Sequence, residues 1–126
     1  MPAFITVARI ALLAVAVTAM PLVAQADCSD AESLADDAYT YARRALRELN
    51  FDDAQSLMRR ARDTAEEAQF EAEECRCDDA ESYADDAYTN ARRAYNASSL
   101  QELRYYATRT MKAAEEARDA ASSCSQ

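Results

Sequence analysis

The stretch Cys75-Arg76-Cys77 decides the fold. It holds two of the chain's four cysteines, and it is where an internal repeat ends and starts again. Residues 28–75 and 77–124 align at an offset of 49 with no gap, and 22 of the 48 aligned positions are identical. Agreement is strongest in Ala-Asp-Asp-Ala-Tyr-Thr (35–40 and 84–89), Ala-Arg-Arg-Ala (42–45 and 91–94) and Ala-Glu-Glu-Ala (65–68 and 114–117). A unit bounded at each end by cysteine has been duplicated.

Inside each unit the small apolar residues recur at alternating steps of four and three, the period of a helical seam. The first seam is Cys28, Ala31, Ala35, Ala38, Ala42, Ala45, Leu49, and the second is Ala54, Met58, Ala61, Ala65, Ala68, Ala72, Cys75. Folded back on each other, the two give one antiparallel register in which paired residue numbers always total 103. Leu49 then meets Ala54, Ala38 meets Ala65, and Cys28 meets Cys75. The second unit repeats this at 201, from Ser98 with Leu103 to Cys77 with Cys124. The spacing therefore predicts two disulfides, 28–75 and 77–124, each closing the open end of a helical hairpin.

The expected fold is all-α: two tandem antiparallel Ala-rich hairpins forming a four-helix bundle. Ser29-Asp30-Ala31-Glu32 and Asp78-Asp79-Ala80-Glu81 read as capping boxes at the first and third helices. Asn50 or Asp52 is expected to cap the second. The larger residues beside the seams are expected to join the hairpins: Leu34, Tyr39, Tyr41, Leu46 and Leu57, then Tyr83, Tyr88, Tyr95, Tyr106 and Met111.

Composition supports this reading. The 126 residues include no Gly, no His and no Trp, and both prolines lie before residue 22. Such a chain has few means of building elaborate loops. Residues 1–26 read as a signal peptide, with Arg9, an apolar run over 10–20, Pro21, and Ala24-Gln25-Ala26 as the cleavage signature. The organisation is then signal peptide 1–26, hairpin repeat 27–75, a linker at Arg76, and hairpin repeat 77–126. Export to a bacterial periplasm or the exterior agrees with a disulfide framework.

Beyond residue 26 stand 23 acidic and 13 basic residues, a formal charge of −10. That disfavours nucleic acid and anionic surfaces, and suits a cationic protein partner. No stable membrane insertion is expected once the signal is removed. Without His, and with Lys112 as the only lysine, a nucleophile–base pair is hard to assemble, so no enzyme activity and no cofactor are expected. Asp36-Asp37, Asp85-Asp86, Glu66-Glu67 and Glu115-Glu116 read as a solvated face, and Arg43-Arg44 and Arg92-Arg93 as their surface partners.

The expected role is that of a small exported binding or structural module. Its partner surface is expected on the second repeat, at Tyr83, Tyr88, Tyr95, Tyr105 and Tyr106, since exposed tyrosines make good interface anchors. Self-association into a homo-oligomer is a variant of this role. The alternative is a metal-binding or thiol-redox module that uses Cys28, Cys75, Cys77 and Cys124 at the shared end.

Overall fold

The computed structural model describes residues 27–125. The signal-peptide expectation for residues 1–26 lies outside the described residues. Four helices follow one another: α1 Ser29–Arg47, α2 Phe51–Glu74, α3 Asp78–Tyr95 and α4 Leu100–Cys124. Each packs against two neighbours, α1 on α2 and α4, and α3 on α2 and α4, with little contact across the diagonals. This is an up-down-up-down bundle. Among the described residues no helix is long and apolar enough to cross a membrane.

The core consists of the alanine seams. Ala35, Ala68, Ala84 and Ala117 form one layer, and Ala38, Ala65, Ala87 and Ala114 the next. The space enclosed between these two layers is too small to admit a water molecule. Here the structure corrects one expectation. The hairpins are joined by the same seams that close them, because all four seams turn to one axis. The large flanking residues instead border the core: Leu34, Tyr39, Tyr41, Leu46, Tyr83, Tyr88, Tyr95, Tyr106 and Met111 are partly buried against it. Bulk enters the core only towards the hairpin tips, where Leu57, Met58 and Leu103 are buried.

The seams end sooner than their period suggests. α1 stops at Arg47 and α3 at Tyr95, so Leu49 and Ser98 do not form a final layer. Leu49 is 86% exposed, and Ser98 is exposed. The polar stretches after these residues cap the next helices. Asn50 Oδ1 accepts from the Asp53 N–H at 3.0 Å, and Ser99 Oγ accepts from the Glu102 N–H at 3.1 Å. Asn50 thus fills its expected role.

The capping boxes at α1 and α3 do not form. The N-caps are Cys28 and Cys77, without side-chain caps. Each cysteine is drawn into the last core layer, so the helix starts one residue before the sequence signal, and Ser29 and Asp78 become its first turn. Asp27 takes the serine instead. Its Oδ1 accepts from the Ser29 N–H at 3.2 Å and from the Ser29 hydroxyl at 2.9 Å. The backbone bond first, and then the hydroxyl, hold the Asp27 carboxyl below the usual carboxylate range.

Candidate functional site

Both disulfides form as the register predicts: Cys28–Cys75 with Cα atoms 5.4 Å apart, and Cys77–Cys124 with Cα atoms 6.0 Å apart. All four cysteines sit at one end of the bundle. Their environments differ. Cys28 and Cys77 are each 1% exposed, Cys75 is half-buried, and Cys124 is exposed. The two bridges crowd each other, since the Sγ atoms of Cys28, Cys77 and Cys124 all lie within 4.8 Å of one another. Ser125 closes this end, because its Oγ accepts from the Cys28 N–H at 2.9 Å and donates to the Ala121 carbonyl at 3.1 Å. No cysteine is free.

The five tyrosines of the second repeat do not form one patch. Tyr83 and Tyr88 border different alanine layers, and Tyr95 and Tyr106 lie against the tip cluster. Only Tyr105 is strongly exposed, at 58%. It meets Tyr106 edge-to-face, with ring centroids 5.0 Å apart. Both belong to the start of α4, a helix of 25 residues set beside the 18-residue α3. Tyr105 lies two residues from each of the buried seam positions Leu103 and Ala107, on the opposite face of α4, and so stays in solvent.

Three of the four twin arginines, Arg43, Arg92 and Arg93, stack on tyrosines, and none of the four pairs with an acid among the described residues. Arg43 lies over Tyr39 at 5.6 Å and Arg92 over Tyr88 at 5.8 Å, the same contact in each repeat. Arg93 reaches Tyr106 at 6.0 Å, and Arg62 crosses from α2 to Tyr95 of α3 at 5.0 Å. Such contacts are worth about 0.5–1 kcal/mol at exposed sites. Among the described residues the ion pairs involve only Arg62 and Arg118. Arg118 ties α4 to α1, donating to Asp36 at 3.0 Å while lying 5.3 Å from the Tyr39 ring.

A polar groove of about 530 Å³ runs between α3 and α4, lined by Asp86, Asn90, Arg93, Arg109, Lys112 and Glu116 among others. Arg109 is held there by Asn90 Oδ1 at 3.3 Å and by the Tyr105 hydroxyl at 3.4 Å. Shallower grooves continue past Tyr106, Arg92 and Asn96. Reading the repeats for their agreement missed this groove. The signal lay in where the copies differ.

Comparison with protein-family models, curated proteins and solved structures finds no match. Function therefore rests on the geometry of this chain.

Proposed function

We propose that the chain is a small exported, non-enzymatic module that binds a protein partner through its second hairpin. The observation that carries this reading is the Tyr105–Tyr106 pair, presented on the overhang of α4 beside Arg93 and Arg109. Tyrosine and arginine dominate interface hot spots because they combine large contact area with directional polar ends. A disulfide-closed bundle presents them with little ordering left to lose on binding. Two disulfides agree with an oxidising, extracytoplasmic compartment.

Photo-crosslinking and pull-down from the native envelope or secretome tests the reading. Tyr105→Ala/Tyr106→Ala is expected to weaken capture by about 30-fold, the scale of a lost hot spot. Unchanged capture by the double variant would remove the Tyr105–Tyr106 pair from consideration.

A metal-binding or thiol-redox module is the second reading: the sulfurs of Cys28, Cys77 and Cys124 lie within 4.8 Å of one another, and all three are disulfide-bonded in this structure, so the module would require their reduction. Zinc would be held by thiolates in a tetrahedron. Thiol titration of protein taken from its native compartment separates the two readings. Reactive thiols with bound zinc would support the module, and four blocked thiols would exclude its resting metal site.

A further inference from the structure

Charge is not spread evenly along the bundle. The tip half, residues 38–64 and 87–113, holds 11 basic and 5 acidic residues, whereas the rest of the chain beyond residue 26 holds 2 basic and 18 acidic. The longer helices have 24 and 25 residues, about 36 Å at 1.5 Å per residue. The Debye length at physiological salt is about 8 Å. A partner at the tip half therefore meets a basic surface, screened from the acidic sulfur end. Net charge describes neither end, and a cationic partner suits only the sulfur end.

The basic half is most one-sided on the second hairpin. Residues 87–113 carry Arg92, Arg93, Arg104, Arg109 and Lys112 against Glu102 alone. The α3–α4 groove straddles the edge of this span, with Arg93, Arg109 and Lys112 inside it and Asp86 and Glu116 just beyond it, and duplication supplies its internal control. Its lining positions Asp86, Arg93, Arg109 and Glu116 correspond to Asp37, Arg44, Arg60 and Glu67, which are unchanged in type. Three others differ: Asn90 stands where the first repeat has Tyr41, Lys112 where it has Asp63, and Ala113 where it has Thr64. Two of these changes remove bulk, and the third replaces an acid with a base. Arg93, Arg109 and Lys112 have no carboxylate within ion-pair distance among the described residues.

We propose that this groove binds an acidic, extended segment of the partner protein. The inference rests on the protein-binding reading and adds the partner's chemistry. Two features favour a peptide over a lipid surface. The groove holds about 530 Å³ between two helices, and its lining includes the acids Asp86 and Glu116, which would repel anionic headgroups. The tip itself, which would face a bilayer end-on, carries Glu48, Asp52, Asp53 and Glu102 beside its apolar Leu49 and Phe51. Carboxylates would bridge Arg93, Arg109 and Lys112, with Tyr105 and Tyr106 flanking one end.

The test is an amide-shift NMR titration of the disulfide-intact protein with hexaglutamate peptide in low salt. Saturable shifts confined to residues 86–93 and 109–116 are expected. Lys112→Asp, a change at an exposed position, is expected to weaken binding about fivefold. Asn90→Tyr/Lys112→Asp/Ala113→Thr, which restores the first repeat's residues, is expected to abolish it. No localised shifts, or the same shifts in both variants, would overturn the proposal. So would binding to phosphatidylglycerol vesicles without any response to hexaglutamate, or a groove-dependent dimer in sedimentation, which would make the occupant a second copy. Loss of capture in the tyrosine variant alongside an empty groove would retain the binding module and discard this ligand.

Discussion

Arg76 does with an ordinary side chain what helices usually leave to glycine. It has φ of 59° and is the described residue with positive φ. The Cys77 N–H donates to the Ala72 carbonyl at 2.9 Å and the Arg76 N–H to the Glu73 carbonyl at 3.1 Å. These are the paired bonds of a Schellman ending, with Arg76 at the left-handed position. Cys77 and Ala72 also share the apolar contact that accompanies it. A left-handed L-residue costs roughly 1–2 kcal/mol, while glycine costs back about half of that through the unfolded chain's freedom. Arg76→Gly is thus expected to stabilise the protein by about 0.5–1 kcal/mol in urea unfolding, and Arg76→Pro, whose ring fixes φ near −65°, to destabilise it by more. Equal midpoints for Arg76→Gly and the natural chain would mean that the left-handed strain has been relieved elsewhere.

The helices of each hairpin are unequal, and the overhangs tie the repeats together. α2 and α4 outrun α1 and α3 at the tips, and equivalent residues on the overhangs each cross to the other repeat. Gln55 Nε2 donates to the Tyr95 carbonyl at 2.8 Å, and Arg104 Nη2 to the Glu48 carbonyl at 2.7 Å. The accepting carbonyls lie at the C-terminal ends of α3 and α1, which otherwise lack partners. Arg104 also offers its charge to the negative end of a helix, although its buried Nε finds no acceptor among the described residues. Arg104→Ala is expected to lose about 1–2 kcal/mol in denaturant unfolding, and Arg104→Gln, the first repeat's residue, to recover more than half of that. No recovery would mean that packing and not the hydrogen bond holds the tip. These crossings were not legible in the sequence, because two side chains reaching different carbonyls leave no periodic trace. The seams were legible, since alanine at steps of four and three has few readings other than a close helix pair. Their final layers at Leu49 and Ser98 were not, because period alone does not mark where a helix stops.

Over the whole molecule, a core built from alanine leaves the cysteines with an unusual share of the stability. A buried alanine contributes about one methyl group to the core, on the order of 0.8 kcal/mol, so the four-alanine layers are close-fitting but weakly driven. The cysteine pairing was legible because each bridge is the last layer of a register set by ten alanines in the first hairpin and nine in the second. The groove and the charge separation along the bundle were not, because both appear only once the hairpins stand side by side with their tips at one end. The two bridges, each spanning 47 residues in sequence, close consecutive loops that do not overlap, so their restrictions on the unfolded chain should add. The chain-entropy relation gives each about 4 kcal/mol, against a usual net stability of about 5–15 kcal/mol. Cys28→Ser/Cys75→Ser and Cys77→Ser/Cys124→Ser are each expected to lower stability by about 2–4 kcal/mol, and the departure of the fourfold variant from their total measures the coupling between the two crowded bridges. Thermal unfolding followed by circular dichroism, with and without reductant, provides the measurement. A reduced protein melting within a degree or two of the oxidised one would show that the alanine layers hold the bundle unaided.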